Sequence, residues 1–127
     1  MKRPLFLLSL LLVCLGAAAQ ENPIARPEAT VVCGNARFTV LTSRLIRMEW
    51  AQDGVFEDRA TLAVTNRNLD VPAFKTTRTR NGVTIRTADL TLRYTGPAQF
   101  NGRNLSVTFK MGGKPVKWVP GADALYE

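Results

Sequence analysis

Apolar and polar residues alternate one by one in a series of short runs along this chain, a period of two that suits strands, and no helical stretch of useful length appears. Ile46, Met48 and Trp50 alternate with Arg47 and Glu49, and Val83 and Ile85 alternate with Thr84 and Arg86. Leu90, Leu92 and Tyr94 alternate with Thr91 and Arg93, and Leu105 to Met111 repeats the pattern unbroken. Each run sends its apolar residues to one face and its polar residues to the other, as a half-buried antiparallel strand requires. Turn chemistry falls between the runs, at Gly34-Asn35, Asp53-Gly54, Asn81-Gly82, Gly96-Pro97, Asn101-Gly102 and Gly112-Gly113. Six to nine short strands and no helix predict an all-β fold, an antiparallel β-sandwich or part of one.

The front of the chain obeys a different rule. Lys2 and Arg3 precede an apolar run from Leu5 to Leu15, interrupted only by Ser9, and Ala17-Ala18-Ala19 follows it. A basic start, a short apolar core and small residues make a signal peptide over 1–19, with cleavage between Ala19 and Gln20. The core is too short to span a hydrocarbon layer about 30 Å thick, so no membrane attachment is expected after cleavage. A lipid anchor at Cys14 is disfavoured because Val13, just before it, is not small. The expected product is exported, periplasmic or secreted. Residues 20–29, with Pro23, Arg26 and Pro27, read as an extended leader, and 30–127 as the sandwich domain.

Cleavage leaves Cys33 as the one cysteine, which excludes an internal disulfide and reads as a small buried hydrophobe. Stability must then come from apolar burial. The Asn81-Gly82 hairpin allows its register to be argued. A two-residue loop would oppose Arg78 and Arg80 to Ile85 and Val83, whereas a three-residue loop with Gly82 at positive φ opposes Thr77 and Thr79 to them. The second register is preferred, with Arg78 and Arg86 on a solvated outer face. An unfinished sheet is expected to leave an open edge near Leu105 to Met111.

The chain has no histidine, which removes the commonest general base and the commonest metal ligand. No metal site and no cofactor site is expected, since Cys33 has no second thiol or imidazole to join it. The acids are scattered. Glu57 and Asp58 are adjacent, but neighbours on a strand point to opposite faces unless a turn folds them together, so a solvated loop or an ion pair with Arg59 is the favoured reading over catalysis. Asp53-Gly54 is a turn signal, and no glycine-rich strand-to-helix loop exists to hold phosphate.

A formal net charge of +7 raises nucleic acid as a partner, but Arg37, Arg47, Arg86 and Arg93 alternate singly with apolar residues and read as ordinary solvated sheet faces. Trp50 and Trp118 are candidates for stacking on sugar rings. Trp50 shares its face with Ile46 and Met48, so core packing is preferred there.

Taken in order, Gly34-Asn35-Ala36-Arg37-Phe38-Thr39-Val40-Leu41, Arg44-Leu45-Ile46-Arg47-Met48-Glu49-Trp50, Phe56-Glu57-Asp58-Arg59-Ala60-Thr61 and Asn66-Arg67-Asn68-Leu69 resemble the opening of bacterial glycoside hydrolase family 31 enzymes. Thr91-Leu92-Arg93-Tyr94 and Asn104-Leu105-Ser106-Val107-Thr108-Phe109 continue the resemblance, which covers about Ile24 to Pro120. It implies an N-terminal β-sandwich similar to galactose mutarotase, packed beside a (β/α)₈ barrel that this chain lacks. The family's members are retaining α-glycosidases acting on α-glucosides or α-xylosides, with an aspartate nucleophile and an aspartate acid/base in the barrel. No position here matches the nucleophile motif, so no catalytic role passes to Asp53, Asp58, Asp70, Asp89 or Asp123.

Two readings follow. In the first, the chain is a non-catalytic, incomplete sandwich of an exported α-glycosidase, whose partner is the missing barrel of the same polypeptide. In the second, it is a free-standing exported β-module that binds an oligo- or polysaccharide or another protein.

Overall fold

The computed structural model describes residues 21–122. The expected signal peptide, its expected cleavage between Ala19 and Gln20, and Asp123 lie outside the described residues. Eight strands form: β1 (Thr30–Cys33), β2 (Ala36–Thr42), β3 (Leu45–Trp50), β4 (Phe74–Arg78), β5 (Gly82–Thr87), β6 (Leu90–Thr95), β7 (Leu105–Met111) and β8 (Lys114–Trp118). One 3-10 turn, Pro27–Ala29, precedes them. The strands make a three-stranded sheet, β1-β2-β3, and a five-stranded sheet, β4-β5-β6-β7-β8. Every pairing is antiparallel between sequence neighbours. The all-β sandwich expected from the alternation is therefore the fold.

Tight turns join most neighbours. Met111 pairs with Lys114 across Gly112 and Gly113, whose φ values are 57° and 77°. Positive φ at both central positions gives a two-residue hairpin the twist its strands need, which other residues supply only with strain.

The Asn81-Gly82 hairpin adopts neither of the expected registers. Arg78 pairs with Val83 and Thr76 with Ile85, so residues 79–82 form a four-residue loop closed by the Thr79 N–H donating to the Gly82 carbonyl at 2.9 Å. Gly82 does not have positive φ. It is needed instead for close approach: a Cβ there would lie 2.5 Å from the Tyr94 carbonyl oxygen. The register places Arg78 on the same side as Val83, not on the outer face with Arg86. Its Nη1 reaches across to the smaller sheet and donates to the Val32 carbonyl at 2.8 Å. A donor long enough to bridge the sheets thus sits where a short polar residue was expected.

The core joins Val31, Ala36, Phe38 and Val40 of the smaller sheet to Val83, Ile85, Leu92, Tyr94 and Leu105 of the larger. Phe38, Tyr94 and Phe100 pack as three mutually tilted rings, with Tyr94 and Phe100 edge to face at 5.3 Å. Tyr94 is buried and donates its hydroxyl to the Ala98 carbonyl at 2.7 Å, so the aromatic cluster leaves that polar group satisfied. Cys33 packs against this core but is only partly buried, not enclosed as a small core hydrophobe would be.

Three strands facing five cannot cover them all. Val107, Phe109, Val116 and Trp118, on the inner side of β7 and β8, are only partly buried. The terminal strands of the larger sheet are β4 and β8, and β7 is paired on both sides, so the open edge is not at Leu105–Met111. The β8 edge carries Lys114, Pro115 and Lys117, residues that discourage further strand pairing. The β1 edge is engaged by Arg78 at Val32. By contrast, β3 is an edge strand with Leu45 half-exposed and apolar residues at Ile46, Met48 and Trp50.

Candidate functional site

The two sides of the three-stranded sheet differ in what lies against them. On the inner side, between β3 and the uncovered parts of β6, β7 and β8, runs an open groove of about 920 Å³. Its walls are mainly apolar: Ile46 and Met48 on one side, Leu90, Leu92, Val107, Phe109 and Trp118 on the other. Arg44 and Lys110 border it, and Arg44 is paired with Asp89 at 3.4 Å. Strands lie about 4.8 Å apart, so two uncovered strands leave a trough about 10 Å wide. One end is tied shut by the Thr87 hydroxyl donating to the Ser43 carbonyl at 2.6 Å and by the Ser43 hydroxyl donating to Asp89.

On the outer side, an irregular connection of residues 51–73 folds over β2 and β3 and buries charge. Arg37 lies opposite Glu49 in the register, and Thr39 lies opposite Arg47. Arg37 donates Nε to Glu49 Oε2 at 2.7 Å and Nη2 to Glu49 Oε1 at 3.0 Å, while Nη1 reaches Asp58 Oδ1 at 2.7 Å. Its guanidinium stands 4.9 Å from the centre of the Phe56 ring. Arg47 Nη1 abuts Glu49 Oε1 as an ion pair without hydrogen-bond alignment. Burial pushes the Glu49 carboxyl up, but the bonds from Arg37 and the adjacent Arg47 charge outweigh it and hold the group below its ordinary range.

Arg67 completes this layer. Its residue is 2% exposed, and it donates Nη1 to the Glu57 carbonyl at 2.9 Å and Nη2 to the Arg59 carbonyl at 2.7 Å. The Arg67 backbone N–H donates to Asn22 at 2.7 Å, which fastens the leader to the same connection. Burial, and then the nearby Arg47 charge, lower the pKa of Arg67.

The residues singled out for chemistry fall as follows. Glu57 pairs with Arg59 at 2.7 Å, as expected, and the Arg59 side chain and N–H hold its carboxyl at about 2. Asp58 pairs instead with Arg37, because the segment is a folded loop rather than a strand. Asp53 accepts the Val55 N–H at 3.0 Å as a turn residue, beside Gly54 at φ 71°. Trp50 packs against the core and donates Nε1 to the Pro97 carbonyl at 3.0 Å. Trp118 is half-buried in the groove wall.

Arg86 and Arg93 are exposed, in keeping with solvated sheet faces. Arg37 and Arg47 are not: each side chain is 15% exposed beneath the 51–73 connection. Alternation with apolar neighbours gave no sign that a distant loop would cover these two. Arg67, the most buried charge, was not identified from periodicity because it belongs to no strand.

Among the described residues, no three Cys, Asp or Glu side chains converge as a metal site, and no helix is long and apolar enough to cross a membrane. The chain matches no protein-family model and no curated protein.

Proposed function

We propose that the chain is a non-catalytic β-sandwich module of an exported α-glycosidase of the family 31 type, supporting a (β/α)₈ barrel that hydrolyses α-glucosidic or α-xylosidic bonds. The observation that carries this reading is the uncovered apolar inner side of β7 and β8, bordered by the free edge of β3. A concave apolar wall beside an unpaired strand edge offers a neighbouring domain a place to pack. The carboxylates support a structural role: Glu57, Asp58 and Glu49 are each committed to guanidinium groups, whereas retaining hydrolysis needs two carboxyl groups about 5 to 5.5 Å apart across a substrate.

Peptide mapping of the natural exported product tests the reading. Peptides of this chain should be found in one polypeptide with a barrel, and α-glucosidase or α-xylosidase activity should copurify with them. A natural product limited to this chain, with no such activity in its fractions, contradicts it. The Trp118 wall of the groove favours one second reading, an independent glycan-binding module. In that case, maltooligosaccharides or xylooligosaccharides should change Trp fluorescence in the wild type but not in Trp118→Ala.

A further inference from the structure

The charged layer beneath the 51–73 connection is not electrically closed. Three guanidiniums, those of Arg37, Arg47 and Arg67, share two carboxylates, those of Glu49 and Asp58. Arg37 is saturated by Glu49, Asp58 and the Glu57 carbonyl. Arg67, although the most buried of the three, has no carboxylate partner among the described residues and meets only two backbone carbonyls. Two of its five N–H groups are used in those bonds, and its Nε has no acceptor. Burying a charge without a counter-charge is costly, and neutral carbonyl dipoles compensate only part of that cost.

Beside Arg67 lies a partly enclosed cavity of about 130 Å³. Arg37, Thr39 and Asp58 line it, together with Ile24, Ala25 and Thr30. Thr39 is itself 2% exposed, which places a hydroxyl-bearing side chain in the wall. Asp58 also faces this space, but its carboxylate is engaged by Arg37 at 2.7 Å. The surplus is one positive charge, so a single monovalent negative charge balances it and a dianion overshoots.

We propose that this cavity is a binding site for one compact monovalent anion, a halide or a carboxylate group, which serves as the counter-ion of Arg67 and locks the 51–73 connection and the leader onto the outer side of the sheet. The ion neutralises the buried guanidinium and takes a hydrogen bond from the Thr39 hydroxyl. The site is independent of the apolar groove and of the glycosidase reading.

Crystals of the full chain grown in sodium bromide test the site directly. Bromide should give an anomalous peak in the cavity beside Arg67 and Thr39, and acetate added to the same crystals should displace it. In solution, sodium chloride should raise Tm by several degrees more than the bulky anion isethionate at equal ionic strength. That difference should disappear in Arg67→Met and shrink in Thr39→Val, which keeps the shape of the wall and serves even where the Arg67 variant does not fold. An empty cavity in bromide, with chloride and isethionate acting alike on the wild type, overturns the proposal. So does an anion-specific Tm increment that persists undiminished in Thr39→Val and Arg67→Met.

Discussion

The inner and outer sides of the three-stranded sheet meet the same requirement, exclusion of water from strand surface, by opposite means. The inner side does so with apolar side chains, completely under Phe38 and Val40 and incompletely toward β7 and β8. The outer side is covered by a loop without regular structure, held by guanidinium bonds to carboxylates and carbonyls. Regular strands therefore line the open part of the molecule, and an irregular segment closes the other. Strand geometry alone does not bring closure; a covering layer does.

Truncation inside the core separates the two parts of the inner side most strongly. Phe38→Ala should cost about 3 to 5 kcal/mol, because the ring is fully buried and the aromatic cluster around it cannot collapse into the space. Phe109→Ala in the groove wall should cost about 1 to 2 kcal/mol, since a ring that is only partly buried gives up less burial. Urea melts of the two variants measure the ratio, and equal losses would mean that the groove is as closed as the core.

On the outer side, Arg67→Met should destabilise by about 2 to 3 kcal/mol and speed hydrogen exchange across 51–73, because two charge-assisted bonds to carbonyls are lost. Arg86→Ala, on an exposed face of the larger sheet, should stay within about 0.5 kcal/mol. Comparable losses at both sites would reduce the outer layer to ordinary surface charge.

A smaller effect concerns pH. The Glu49 carboxyl is lowered in the folded state, so the stability it contributes is present above the ordinary glutamate range near pH 4.5 and is lost as pH falls through its folded value. Melts between pH 7 and pH 3 should therefore show Tm falling at the acid end. Glu49→Gln should be less stable at neutral pH and should lose less on acidification. Smallest is the change at the free edge: Leu45→Lys should move stability by no more than about 0.5 kcal/mol, yet reduce self-association in sedimentation, since the side chain is already 50% exposed and a charge discourages edge pairing.

The parts of this fold legible in sequence are those where one face is buried and the other wet. β5 and β6 satisfy that condition, and Val83, Ile85, Leu92 and Tyr94 are all buried as their alternation implies. β2 does not, because Phe38, Thr39, Val40 and Leu41 are buried in succession under cover on both sides. β4 is misleading for another reason: Phe74 to Arg78 holds little apolar signal, so its register is set by the loop and by Arg78 reaching Val32. The pairing of Glu57 with Arg59 is local, two residues apart, and could be read. The pairing of Arg37 with Asp58 and the burial of Arg67 depend on a fold-back that no period records. The groove likewise follows from strand count per sheet, three against five, which individual strand patterns do not contain.

The contrast between an open inner trough and a closed outer layer can be read with a neutral, environment-sensitive apolar dye such as Nile red, titrated into the natively folded chain with near-ultraviolet circular dichroism as the check on folding. An open groove of about 920 Å³ walled by Val107, Phe109 and Trp118 should bind the dye with a blue-shifted emission. Val107→Glu should abolish the shift, and Arg93→Ala, on the far face, should leave it unchanged. A folded wild-type chain that leaves the dye in water, or a dye signal that Val107→Glu does not alter, would contradict an uncovered apolar face on β7 and β8.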